Sequence, residues 1–231
     1  MELYLIRHGQ SLNNSLEGTG DRVADPPLTE LGQEQAERIG EYLKAIADKT
    51  DEDTRRAGYG IQRLFCSAML RTLQTTQPIA RAMGLRPEIW LDVHEEGGIW
   101  LDKGDGRGPA GHSGLMRSEI EAQFPGFIMP DGMGENGWWN RPKETYEEMI
   151  ERAKCVAEAI VGWEKGERVA IVSHGAFING LVQVLLHGDA LGQVYFSNHN
   201  TAINRLDFLD NGLLRVRYLN RVEHLPPERI S

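Results

Sequence analysis

Apolar residues along this chain fall into two recurring patterns, short unbroken runs and longer stretches with helical spacing. Residues 3–6 form a run that ends at Arg7-His8-Gly9, which predicts a buried strand emptying into a loop. Residues 9–28 are rich in Gly, Asn, Asp and Pro and read as that loop. Thr29 is a candidate N-cap for a helix in which Ala36, Ile39, Leu43 and Ile46 recur on one face. The polar, glycine-bearing stretch 48–60 reads as a connection, and 61–66 as a second buried strand. Leu73, Ile79 and Ala82 then mark a helix that ends at Gly84, with a kink expected at Pro78. A third strand is predicted over 89–93.

From 97 to 141 the pattern dissolves. Glycine, proline and tryptophan become frequent, and one helical candidate lies near 115–124. Long irregular stretches inside compact domains are usually functional, so this segment reads as an insertion carrying substrate contacts. Regularity then returns. Tyr146, Met149, Ile150, Ala153, Val156, Ala157 and Ile160 make an amphipathic helix. A buried strand over 169–172 ends at Ser173-His174-Gly175, an apolar helix follows over 176–186, and strands at 202–208 and 213–218 flank an Asp210-Asn211-Gly212 turn. Strands alternating with helices predict an α/β sandwich with a largely parallel sheet, as one domain over 1–231.

Composition narrows the function classes. The formal net charge of -9 argues against the broad basic surface of a nucleic-acid binder, while leaving room for a local basic pocket. Cys66 and Cys155 both sit in apolar-patterned segments and read as buried, reduced thiols of a cytoplasmic protein. No Cys/His cluster has metal-ligand spacing, so no metal is expected. The N-terminal apolar run is too short for a signal peptide, and nothing approaches a membrane span.

The chemistry gathers at strand ends. His8 and His174 each follow a predicted buried strand, and each is followed at once by glycine. In open α/β sheets ligands bind beyond the carboxyl ends of strands, which predicts that both imidazoles lie on one functional edge. Arg7 stands beside His8, and Arg71, five residues after the end of another strand, reaches the same edge. Guanidinium groups match phosphate oxygens bidentately, and the backbone N–H groups after His174, at a helix start, add donors. An imidazole among positive charges stays neutral and nucleophilic near pH 7. Covalent transfer of a phosphoryl group to it would need a proton for the leaving oxygen, which Glu95 or Glu96 is placed to supply.

Four ordered motifs carry a resemblance spanning nearly the whole chain. Leu5-Ile6-Arg7-His8-Gly9-Gln10-Ser11 with Asn14, the stretch 27–36, Ser67-Ala68-Met69-Leu70-Arg71-Thr72 and Val172-Ser173-His174-Gly175 together resemble the histidine phosphatase superfamily, also called phosphoglycerate-mutase-like. The resemblance implies a three-layer sandwich with a mostly parallel sheet, and His8 as a nucleophile that becomes phosphohistidine. It implies a phosphate pocket of Arg7, Arg71 and His174, with Asn14 and Gly175 as further contacts and Glu95, rather than Glu96, as general acid and base. It implies a small phosphorylated substrate and no cofactor, and leaves the oligomeric state open. Gln10 stands where the family's mutases usually carry glutamate, and the 97–141 insertion, with Trp100, Arg107, His112, Arg117, Trp138, Trp139 and Arg141, reads as a different substrate lid. A phosphatase is therefore expected. The alternatives are a phosphoglycerate-type mutase and a non-catalytic phospho-ligand or protein-binding module on the same fold.

Overall fold

A computed structural model describes residues 1–16, 22–47, 59–189 and 193–231. Its sheet is built on strands buried on both faces. In β1 (Glu2–Arg7), Leu3 and Leu5 point to one side and Tyr4 and Ile6 to the other, all shielded from solvent. The same alternation runs through β6 (Arg168–Ser173), where Val169 and Ile171 oppose Ala170 and Val172. Each face needs its own cover. Leu3, Leu5, Val169 and Ile171 pack against α5 (Tyr146–Val161) and α6 (Gly175–His187). Tyr4, Ile6, Ala170 and Val172 pack against α2 (Glu30–Ala45), α3 (Leu70–Met83) and α4 (Arg117–Gln123). The result is a three-layer α/β sandwich.

The remaining main-sheet strands are β2 (Arg63–Cys66), β3 (Glu88–Ile89), β7 (Ile203–Phe208) and β8 (Leu214–Arg221), and the order is β3-β2-β6-β1-β7-β8. Strands β3, β2, β6 and β1 are mutually parallel, and β7 runs against β1. The carboxyl ends of β2, β6 and β1 consequently open on one edge. There Arg7 lies beside Ser173, and Cys66 beside Val172.

Thr29 caps α2 by accepting from the Gly32 N–H, and Gly84 closes α3 in the left-handed region at φ 67°. The helix continues through Pro78 rather than breaking there. Two expectations change. The run 89–93 is a strand only at Ile89: β2 ends at Cys66, whose carbonyl takes the Trp90 N–H, so the chain finds no further strand partner and turns into a 3₁₀ turn at Leu91–Val93. Cys66 is buried as expected, but Cys155 is exposed, because it lies beside the α5 stripe of Met149, Ala153, Val156 and Ile160 rather than on it. In the 9–28 loop the chain forms a four-residue helix α1 (Leu12–Ser15), while 17–21 and 48–58 lie outside the described residues.

The insertion carries a two-stranded ribbon, β4 (Trp100–Leu101) and β5 (Ala110–Gly111), and then α4. Among the described residues no helix is long and apolar enough to cross a membrane.

The loop after β1 is pressed onto the start of α2 without room for side chains. A Cβ on Gly32 would lie 2.0 Å from the Gln10 carbonyl oxygen, and one on Gly9 would lie 2.5 Å from that of Gly32. Backbone cannot yield as a flexible side chain does. Gly32→Ala is therefore expected to destabilise the protein by about 1–3 kcal/mol, the usual range for overpacking, read as a lower urea midpoint with unchanged slope.

Candidate active site

Three neighbouring strands deliver the site. His8 follows β1 and donates its backbone N–H to the Ser173 carbonyl at 2.9 Å, while Ser67, after β2, donates to the Val172 carbonyl at 3.2 Å. His174 follows β6 and is the N-cap of α6. The two imidazoles meet edge to face with ring centroids 5.1 Å apart, both buried. Arg71 enters from the first turn of α3.

Hydrogen bonds fix the state of His8. Its Nδ1 lies 2.6 Å from the Gly9 carbonyl oxygen, which can only accept, so Nδ1 carries the proton. Nε2 therefore keeps its lone pair, and the Arg71 Nε–H, which can only donate, reaches it at 3.1 Å. Burial, then the charges of Arg71 and Arg7, hold His8 well below the ordinary imidazole range. His174 is neutral for similar reasons: burial first, then Arg71.

Donors around His8 are left without partners. Arg7 spends Nη1 on the Asn198 carbonyl at 2.6 Å, but its buried Nε has no hydrogen bond. His174 sets Nε2 against the Ser67 hydroxyl at 3.0 Å, and its buried Nδ1 is unpaired. Orphaned buried polar atoms are rare in folded proteins, and two of them beside a cationic pocket describe a place shaped for an anion. Gly175 keeps the α6 start open to Arg7, whose Nε would lie 3.4 Å from a Cβ there.

Glu95 closes the pocket. Its Oε1 accepts from the Phe177 N–H at 3.0 Å, in the first turn of α6, and from the Glu96 N–H at 3.0 Å. Its charge acts on both Arg7 and Arg71. Glu96 instead lines a groove of about 290 Å³ with Tyr146, Ala176, Asn179, Val194 and Tyr195. Burial and the neighbouring Glu95 raise the Glu96 carboxyl above its usual range.

Asn14 sits at the exposed side, its Oδ1 accepting from the Ser11 N–H and hydroxyl and, at 3.4 Å, from Asn200. Of the insertion, Trp139 is buried against Met69 and Ile99, with Arg141 stacked 4.1 Å over its ring. Arg107 and Arg117 are not brought to the pocket; they pair with Asp105 and Glu121 on the surface, and His112 is exposed.

Sequence reasoning missed three residues. Ser67 orients His174, and its place in the Ser-x-x-x-Arg element was the available signal. Asp25 stands 3.7 Å from Arg71 and accepts from the Leu70 N–H; burial pushes its carboxyl up to about 6 despite that arginine. Tyr195 interacts with Glu95 and Arg7 across the pocket mouth. Neither Asp25 nor Tyr195 stands in a pattern that announces it.

Comparison with known proteins bears on the family and the fold. The model of the histidine phosphatase superfamily (branch 1) matches residues 3–221. A protein named probable phosphoglycerate mutase GpmB from Salmonella arizonae is 25% identical over 212 residues, covering 91% of this chain and 86% of its own. Its namesake from Cronobacter sakazakii is 27% identical, covering 90% and 85%. Among solved structures, the ecdysone phosphate phosphatase from Bombix mori in complex with tungstate superposes with a TM-score of 0.65 at 15% identity, over 98% of this chain and 93% of that one. The mycobacterial glucosyl-3-phosphoglycerate phosphatase complexed with VO3 gives 0.58 at 21% identity, over 96% and 99%. The structural likenesses speak for the fold, and the family match runs from the first strand to the end of the last. The chain belongs to the histidine phosphatase superfamily.

Proposed function

We propose that the protein is a phosphomonoester hydrolase working through a covalent phosphohistidine on His8. The observation that carries the reading is the lone pair on His8 Nε2, which accepts from the Arg71 guanidinium and stands beside two buried nitrogens without partners, Arg7 Nε and His174 Nδ1. A phosphoryl group bound there takes hydrogen bonds from Arg7 Nε, the Arg71 guanidinium and His174 Nδ1–H, with the Asn14 amide as a further donor from the exposed side. Nε2 attacks phosphorus as the P–O bond to the leaving group breaks, and the leaving oxygen takes a proton that the Glu95 carboxylate has accepted from the bound monoester monoanion. Glu95, now a carboxylate, accepts a proton from water as the water oxygen attacks phosphorus. The Nε2–P bond breaks, and inorganic phosphate leaves.

The groove beside Glu95 supports hydrolysis over mutase chemistry. Among the described residues that line it there is no arginine or lysine, while Glu96 and two tyrosines are present. A phosphoglycerate carboxylate placed there would meet the Glu96 carboxylate, which Lys143 only partly offsets. A neutral or amine-bearing organic leaving group suits this lining, with the tyrosine rings as apolar walls. The solved relatives named above include phosphatases of organic monoesters, and two are bound to phosphate-like oxyanions.

His8→Ala is expected to abolish phosphate release from an aryl phosphate, and rapid quench of the native enzyme should trap an acid-labile, base-stable phosphoenzyme. Unchanged activity in His8→Ala sinks the proposal. Isomerisation of 3-phosphoglycerate without net phosphate release points to the mutase, and tight vanadate binding with no turnover on a broad panel points to a binding module. Glu95→Gln should lower kcat on a poor leaving group by about 10²-fold or more, and Glu96→Gln by less than about threefold.

The neutral state demanded of His8 also weakens the fold in acid. His8 and His174 lie well below their unfolded values, His94 is pushed down to about 2 and His224 to about 4, each chiefly by burial. Below about pH 6.5 the unfolded chain protonates all of these and the folded chain does not, so stability falls as pH drops. Asp25, raised to about 6, and Glu96, also raised by burial, bind protons more readily in the folded state and offset part of this. Unfolding below about pH 6.5 is therefore expected to take up protons net, read as urea midpoints that fall as the pH is lowered from about 7 to about 5.5.

A further inference from the structure

Behind the loop that carries Glu95 lies an ion pair that touches none of the groups proposed to react. Arg152 of α5 grips the Glu144 carboxylate with both arms of its fork, Nε at 2.8 Å and Nη2 at 2.7 Å. The two side chains are only 8% and 7% exposed. A buried pair of this kind recovers little net stability after desolvation, so its retention calls for another explanation.

The rest of the guanidinium supplies one. Nη1 donates to the Asp92 carbonyl at 2.6 Å and to the His94 carbonyl at 3.1 Å. The carbonyl between them, that of Val93, accepts from the Ser173 hydroxyl at 2.7 Å. Three successive peptide units leading to Glu95 are thus held, two of them by Arg152. Glu144 completes the frame from the other side, its backbone N–H donating to the Gly97 carbonyl at 3.2 Å. The flat face of Arg152 lies 4.5 Å from the Phe177 ring centre, and Phe177 is the residue whose N–H holds the Glu95 carboxylate. One planar group therefore fixes both the backbone that carries the acid and the helix turn that orients it.

We propose that Arg152, held by Glu144, is a positioning residue that aims Glu95 at the leaving-group oxygen. This rests on the reading of Glu95 as proton donor. Lysine cannot replace it, because a compact ammonium cannot span the Glu144 fork and two carbonyls in one plane.

The test is a leaving-group series running from 2,4-dinitrophenyl phosphate, which departs without help, to phenyl phosphate and an alkyl phosphate, which need the proton. Arg152→Lys, which keeps the buried charge, and the paired Arg152→Met/Glu144→Gln variant, which removes both charges together, guard against unfolding, and thermal melts check both. Each is expected to lose about 10²-fold in kcat/KM on phenyl phosphate and less than about threefold on 2,4-dinitrophenyl phosphate, since kcat/KM reports phosphoryl transfer to His8 and not the later hydrolysis that Glu95 also serves. In a Glu95→Gln background the same changes should add less than about threefold. Equal losses across the series, or none, overturn the proposal. The two ideas separate through Glu95→Gln alone. If that variant shows no leaving-group dependence, Glu95 is not the acid. If it does and the Arg152 variants do not, only the positioning role fails.

Discussion

A single proton, held on Nδ1 of His8 by the Gly9 carbonyl, is the constraint on which the rest of the site depends. Were that proton on Nε2, the ring would face Arg71 with a donor, and no lone pair would point into the pocket. The carbonyl is kept in place by features that look unrelated to chemistry. The Gly9 N–H donates to the Thr75 hydroxyl at 3.0 Å, and that hydroxyl donates to the backbone carbonyl of Arg71 at 2.7 Å. The close contact of Gly9 with Gly32 pins the loop from the other side. The helix that presents Arg71 thus also holds the peptide that sets the tautomer of His8, so base and guanidinium are placed by one element.

Much of the architecture was legible because its strands are buried on both faces. Unbroken apolar runs at 3–6 and 169–172 have no other stable home than the centre of a covered sheet, and the helices that cover them carry the complementary stripes. Where pairing rather than hydrophobicity decides, the pattern misled. The run at 89–93 is apolar enough for a strand, but β2 is too short to pair with more than its beginning. Cys155 shows the same lesson on a helix, where a shift of one position turns a side chain from core to solvent.

For the candidate site, strand ends followed by glycine located His8 and His174, and the spacing after Cys66 brought Arg71 to them. What could not be read were partners joined only by folding. Asp25 beside Arg71, Ser67 beneath His174, and the Arg152–Glu144 frame behind Glu95 join residues that no local pattern connects. The insertion shows the converse: its arginines looked like ligands because their residue type suggested it, yet Arg107 and Arg117 answer to acidic neighbours two and four positions away.

The span of these partnerships bears on how the molecule assembles. The bond from Arg71 to His8 closes 63 residues, and that from His174 to Ser67 closes 107. Contacts of such sequence separation require large loops to close before they give anything back, which makes them late events for a chain of this topology. A partly folded chain with its helices in place would therefore still lack an oxyanion pocket. On the proposed reading, a phosphate-like anion would bind only the completed molecule, and its effect on melting would report the finished state rather than compaction along the way.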